Sequence, residues 1–293
     1  MALLRARVLD GASFGTARDF HTVYRGILWE LLSSKAHIER NERTGAEIAV
    51  SRYPIHFNLD LSDMQLPVCG VRKTFPRTAA AEVAWFLLGT KDVSFIHEYA
   101  PIWDKFVEED GTTVAGAYGN RWREHFGRDQ VNDAVETLKA NRTDRRTVVM
   151  AWDPASDGLG RPSKNVPCPL GYTLAVVGNQ LNSAIVLRSS DVFVGLPYDV
   201  MGHALLMNAF AMSIGGVIPG VMSVTLAHPH IYKVHEKMAI EALGSPPSAD
   251  SRIMPPWSIE QIEDDPHGYV ENVRLTYKNV VQPAYMCRPE VVV

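Results

Sequence analysis

Cysteine is scarce in this chain: three residues, Cys69, Cys168 and Cys287, in 293. Thiols so few and so scattered supply neither a disulfide framework nor a zinc site, and they fit a reducing compartment. An excess of positive charge is also missing, with 29 lysines and arginines against 33 aspartates and glutamates and a net charge of -4. A protein that grips nucleic acid through its phosphates is usually basic overall, so no nucleic-acid partner is expected. An anionic small molecule would have to be met by a local group of arginines. Long apolar runs are few. The opening MALLRARVLDG has too short an apolar stretch for a signal peptide. The run from Ala204 to Val224 is interrupted by Asn208, Gly215, Gly216, Pro219 and Gly220. It reads as a buried helix to about Ser213, a turn and a strand, and no membrane partner is expected. Neither a G-x-G-x-x-G motif nor a P-loop occurs, which removes support for nucleotide cradles of those kinds.

What is present is ordinary globular composition, 46% hydrophobic and 21% charged. With no repeat and no low-complexity linker, residues 1–293 read as one domain, with 1–18 as an N-terminal extension. Phe20, Val23, Tyr24, Ile27, Leu28 and Leu31 form one stripe of an amphipathic helix. Ala79 to Leu88 predicts a second helix ending at Gly89, and Asn132 to Ala140 a third. Thr147 to Trp152 is rich in strand formers. Leu170–Val177 and Leu181–Leu187, split by Gly178-Asn179, predict a β-hairpin. A helix over about Val200–Ser213 and a strand over about Met222–Leu226 follow, and residues 245–258 form a Pro- and Ser-rich loop. Strands outside strict βαβ alternation, with long helices between them, indicate an α+β fold.

Cys168 stands in Asn-Val-Pro-Cys-Pro directly before the hairpin, where a thiol can face a cleft. The second strand runs into Arg188-Ser189-Ser190-Asp191, and a guanidinium near a thiol favours the thiolate. Cys69 and Cys287 have no such setting and read as structural. Arg43, Arg145, Arg146 and Arg188 are candidates for an oxyanion clamp, because the planar guanidinium fork matches phosphate. His228, His230 and His235 lack a tightly spaced further ligand, so no metal is expected.

Read in order, these pieces resemble the thymidylate synthase family. The clearest stretch is Arg188-Ser-Ser-Asp-Val-Phe-Val-Gly-Leu-Pro-Tyr-Asp199, close to the family's R-S-x-D-x-x-L-G-x-P-F-N. Around it stand Asn41-Glu-Arg-Thr-Gly45, Glu82-Val-Ala-Trp-Phe-Leu87, Ile102-Trp103-Asp104, Ala117 to Arg123, Asp144-Arg145-Arg146, Pro167-Cys168 and His230-Ile-Tyr232. The resemblance implies a thymidylate synthase-like fold, a twisted mixed sheet packed with helices, assembled as a sheet-to-sheet homodimer. It implies a transferase that uses 5,10-methylenetetrahydrofolate, as one-carbon donor, on a pyrimidine nucleotide. Cys168 matches the nucleophile that adds to C6 of the base. Glu82 matches the residue that organises water and proton transfer, and Tyr118 the tyrosine near C5 proton removal. Arg43, Arg188 and Ser189 match phosphate contacts, Arg145 and Arg146 the pair supplied by the partner subunit, and His230 and Tyr232 the contacts to the sugar 3'-hydroxyl. Ile102, Trp103, Asp191, Val194, Gly195 and Tyr198 match the folate-side wall, which Glu82 and the apolar tail ending in Val293 complete; Asp191 also falls among the nucleotide-side residues.

Two departures separate this chain from the synthases. Asp199 stands where they carry Asn, and Pro169 where they carry His. Uracil presents a donor at N3 and an acceptor at O4, which one amide satisfies. Cytosine reverses both, and a carboxyl group can meet that pattern, either protonated and donating to N3 or ionised against a protonated N3. A mismatch would leave buried polar groups unpaired, at roughly 1–3 kcal/mol each. The bland alternative, Asp199 as a helix N-cap, leaves Pro169 unexplained. The expectation is therefore a deoxycytidylate 5-hydroxymethylase: dCMP, methylenetetrahydrofolate and water giving 5-hydroxymethyl-dCMP and tetrahydrofolate. Methylation of dCMP with folate as reductant, hydroxymethylation of CMP, and methylation of dUMP are the alternatives, in that order. A cytoplasmic location is expected, host cytoplasm for a viral source.

Overall fold

The computed structural model describes residues 16–17, 19–33, 35–41, 44–158, 160, 165–246, 252–278, 289 and 292. Arg43, Cys287 and Val293 lie outside the described residues, as do residues 1–15 of the expected extension. In chain order the first elements are β1 (Thr16–Ala17), α1 (Phe20–Leu31), β2 (His37–Arg40), β3 (Glu47–Val50), β4 (Ile55–Asp60) and α2 (Pro76–Leu87). Next come α3 (Ser94–His97), a 3-10 turn (Pro101–Phe106), α4 (Tyr118–Asn120) running into a π-helical turn (Arg121–His125), α5 (Gln130–Ala140) and β5 (Val148–Met150). The hairpin β6 (Pro169–Val177) and β7 (Gln180–Leu187) leads to β8 (Ser190–Asp191), α6 (Leu196–Ile214), β9 (Ile218–Leu226) and β10 (Pro229–Tyr232). A 3-10 turn (Lys233–His235), α7 (Glu236–Gly244), α8 (Ile259–Asp264) and α9 (Pro266–Thr276) complete the described chain.

Asp19 starts α1 by accepting the Thr22 N–H at 2.7 Å, which satisfies one of the orphan donors of a helix start. All six stripe residues of α1 are buried. The hairpin forms as its turn residues dictate, with Val177 paired to Gln180 and Gly178 at a left-handed φ of 63°. α6 is apolar on nearly every side, from Val200 through Phe210, and is accordingly buried almost all round. Among the described residues no helix is long and apolar enough to cross a membrane. At the end of the expected extension, Thr16 and Ala17 pair in parallel with Asn58 and Leu59 of β4.

Two sheets result. The six-stranded sheet has the order β1-β4-β9-β7-β6-β5, and the four-stranded sheet β2-β3-β10-β8. β7 and β9 run parallel in the first sheet, and their continuations β8 and β10 run parallel in the second. The two sheets therefore share a bend at Arg188-Ser189 and Ala227-His228. On one face of the larger sheet α6 packs on β7 and β9. In β6 the buried Tyr172 and Leu174 alternate with the exposed Thr173, Ala175 and Val177, as a strand covered on one face requires.

Candidate active site

The bend between the sheets is where Cys168 sits. The Arg188 N–H donates to the Cys168 carbonyl at 2.9 Å. The Arg188 side chain then holds the preceding residues, with Nε on the Pro167 carbonyl and a terminal nitrogen on that of Val166, each at 2.8 Å. Its guanidinium lies 5.8 Å from the centre of the Trp152 ring. The Cys168 thiol is half-buried, whereas Cys69 is fully buried. Pro169, which has no N–H to give, opens β6 opposite Leu187.

Glu82 and Tyr118 reach the same cleft because α4 presses on α2. A Cβ on Gly119 would lie 2.0 Å from the Phe86 carbonyl oxygen, so only glycine permits that approach. Tyr118 stacks on Phe86 at 5.0 Å and meets Trp103 edge-on at 5.7 Å. Trp103, carried by the 3-10 turn, donates its indole N–H to Glu82 Oε1 at 2.8 Å and packs on Trp85 at 4.9 Å. Burial pushes the Glu82 carboxyl up to about 7, against the opposing pull of the Trp103 N–H. Burial raises the Tyr118 phenol well above its usual range, and negative charge at Cys168 and Asp199 adds to it, while the Cys168 backbone hydrogen-bonds the phenol.

Asp199 enters from α6. The helix N-cap is Gly195, without a side-chain hydrogen bond, and Asp199 is the fourth helical residue, so the N-cap alternative is excluded. Its N–H donates to the Gly195 carbonyl at 3.1 Å, and its carboxyl accepts no hydrogen bond among the described residues. Burial, then the charges of Glu82 and Asp191, push it up to about 7. Asp191 shapes the turn before α6, accepting the Phe193 and Val194 N–H groups on Oδ1, both at 3.1 Å. Burial raises its carboxyl, while the Val194 N–H, His230, His235 and Arg72 pull it down. His230, beside it on β10, is lowered by burial with Asp191 opposing; its ring lies 5.4 Å from that of Tyr232.

The chain thus brings together Glu82, Trp103, Tyr118, Cys168, Asp191 and Asp199, with Arg188 and Ser189 at the bend and His230 and Tyr232 on the adjoining strand. Ile102, Val194, Gly195 and Tyr198 are half-buried alongside. Arg145 and Arg146 are not brought in. Both are exposed, with Arg146 3.5 Å from Asp144 Oδ2 and its side chain 90% accessible. One residue escaped the sequence reading: Arg72, 2% exposed, acts on Asp191, and a residue in a short irregular segment leaves no periodic signal. His235, weighed in the sequence only for a metal, is 1% exposed and acts on Asp191 as well. Among the described residues no group of three or more His, Cys, Asp or Glu could hold a metal ion.

A protein-family model described as thymidylate synthase matches residues 22–275.

Proposed function

The chain belongs to the thymidylate synthase family, whose members carry out folate-dependent one-carbon transfer to a pyrimidine nucleotide, and from that premise we propose that it hydroxymethylates dCMP at C5. The observation that carries this reading is the Asp199 carboxyl: half-buried, raised to about 7, without a hydrogen-bond partner among the described residues, and facing the same cleft as Glu82. At neutral pH such a group is partly protonated and can donate to N3 of cytosine while accepting from the 4-amine, the reverse of what uracil offers. Pro169, with no donor, supports the same choice.

Methylenetetrahydrofolate supplies a one-carbon unit at the oxidation level of formaldehyde. In this reading the half-buried Ile102, Val194 and Tyr198, the Trp103 ring and the Asp191 carboxyl make an apolar wall with one polar handle, suited to a flat heteroaromatic donor. In this reading the Cys168 sulfur adds to C6 of the base, and C5 becomes nucleophilic towards the one-carbon unit. The C5 proton leaves towards water beside Tyr118, with Glu82 as the exchanging acid and base near pH 7. Loss of that proton expels tetrahydrofolate as the carbon–nitrogen bond to the one-carbon unit breaks, leaving an exocyclic methylene at C5; water adds to this methylene as the C6–sulfur bond to Cys168 breaks. Phe106, half-buried beside Trp103 with ring centres 5.9 Å apart, makes a looser wall than a second indole and supports water over hydride at this step. Arg188 and Ser189, with Arg43, take the phosphate in this reading, and His230 and Tyr232 the 3'-hydroxyl. The exposed Val148, Met150 and Val177 on the open face of the larger sheet support a sheet-to-sheet homodimer, with Arg145 and Arg146 reaching the partner's phosphate.

The test is base preference. The kcat/KM for dCMP and for dUMP should favour dCMP in the wild type and shift towards dUMP in Asp199→Asn. Hydrogen-bonding discrimination of this kind reaches roughly 10⁴-fold in a site built around it. A wild type that prefers dUMP, or an unchanged ratio in the variant, removes the cytosine assignment.

A further inference from the structure

We infer that Arg72 is a positioning residue that fixes the Glu82 and Asp199 carboxyls relative to one another. The inference rests on the reading of those two groups as the pair that faces the base. Arg72 lies in the irregular segment before α2, four residues from Pro76, and is 2% exposed. Its Nε donates to the Phe193 carbonyl at 2.8 Å, one terminal nitrogen to the Val194 carbonyl at 2.9 Å, and the other to the carbonyl of its neighbour Lys73 at 3.1 Å. The Tyr24 hydroxyl donates to the Phe193 carbonyl as well, at 3.0 Å.

The same two residues donate their N–H groups to Asp191 Oδ1. The turn from Asp191 to Gly195 therefore has its N–H groups held by Asp191 and its carbonyls held by Arg72. That turn sets where α6 begins and which way its fourth residue, Asp199, faces. The other end of the clamp sits just ahead of α2, which carries Glu82. A planar guanidinium is suited to join two backbones in this way, because its donors are fixed in one fork. The groups that act on the carboxyl pair or feel its charge are Tyr118 from the thiol side, which Cys168 also acts on, Trp103 from the 3-10 turn, and Asp191 and Tyr198 from the α6 side. The charge of Arg72 acts directly on Asp191 and Tyr198, whereas the causes that raise Glu82 and Asp199 do not include it. A change at Glu82 on removing Arg72 thus reports altered position rather than lost charge, whereas Asp199 also feels Arg72 through Asp191.

The test uses Arg72→Lys and Arg72→Met in the full-length protein. Carboxyl titration of Glu82 and Asp199 is followed by infrared difference spectroscopy, with Glu82→Gln and Asp199→Asn assigning the bands. In folded Arg72→Met both groups should titrate below the wild-type range, kcat should fall about 100-fold, as misplacement by about 1 Å can cause, and the dCMP to dUMP ratio should narrow. Nucleotide KM should change less than kcat, and Arg72→Lys should recover at least a tenth of the wild-type kcat. If Arg72→Met does not fold, Tyr24→Phe, which removes the second donor to the Phe193 carbonyl, should shift both titrations in the same direction and narrow the ratio. An unchanged Glu82 titration in folded Arg72→Met, or in Tyr24→Phe where it is the only folded variant, overturns the inference. If wild type does not turn over dCMP, the functional reading fails while the titrations still decide on Arg72.

Discussion

Arg188 holds the loop of Cys168 from two sides: its N–H donates to the Cys168 carbonyl at 2.9 Å, and its side chain to the carbonyls of Pro167 and Val166. A residue expected to meet phosphate and to favour the thiolate thus also braces the backbone around the thiol. Arg188→Lys keeps the charge but loses the fork that spans two carbonyls. Its kcat should fall by about 100-fold, while the dissociation constant for dCMP, measured by calorimetry, should rise by less. A variant with weakened nucleotide binding and an unaltered kcat would reduce Arg188 to a phosphate ligand.

Cys168→Ser should retain nucleotide binding and lose nearly all turnover, since a serine hydroxyl is a far weaker nucleophile near neutral pH. Mass spectrometry of denatured wild type after mixing with dCMP and the one-carbon donor should detect protein carrying nucleotide, and the variant should show none. Turnover at the wild-type rate in the serine variant ends the assignment.

The raised carboxyls make a stability prediction with a definite sign. Asp199 is near 3.8 when unfolded and about 7 when folded, so between those values the folded protein binds more protons than the unfolded chain. Stability therefore falls as pH rises towards 7, and the loss is constant above it. Asp199→Asn cannot ionise and avoids that loss. Its gain over wild type should be smallest near pH 4, grow to about 1–3 kcal/mol at pH 8, and appear as a melting temperature higher by a few degrees. An equal shift at both pH values would mean that the carboxyl is not raised.

Arg145 and Arg146 predict shared sites. An inactive Arg146→Ala protein mixed one to one with an inactive Cys168→Ser protein should recover roughly a quarter of wild-type activity, because in the proposed homodimer half the pairs would be hybrids with one intact site each. Demonstrated subunit exchange without recovery would confine each active site to one chain.

The parts of the fold that were legible are those where one physical rule dominates. The α1 stripe, the Gly178-Asn179 turn and the apolar α6 each follow from periodicity or backbone geometry. β8 and β10 were not, because strands of two and four residues are too short to show alternation and form only where β7 and β9 continue past the bend. α8 and α9 lie beyond the stretch that carried the resemblance. In the site, Cys168 was marked by its setting before the hairpin, and Glu82 and Asp199 by the resemblance to the family. Arg72 was not, because it sits next to Leu66–Val71, an apolar stretch buried without forming a strand, and its role comes from carbonyls more than 100 residues away in sequence.

The central claim, water-quenched one-carbon transfer to a cytosine nucleotide, is tested most directly by the product made in ¹⁸O-labelled water from dCMP and methylenetetrahydrofolate. Mass spectrometry should find 5-hydroxymethyl-dCMP with the label in its new hydroxyl, with tetrahydrofolate formed and no rise in dihydrofolate absorbance. A 5-methyl product accompanied by dihydrofolate, or turnover of dUMP with dCMP left untouched, would contradict it.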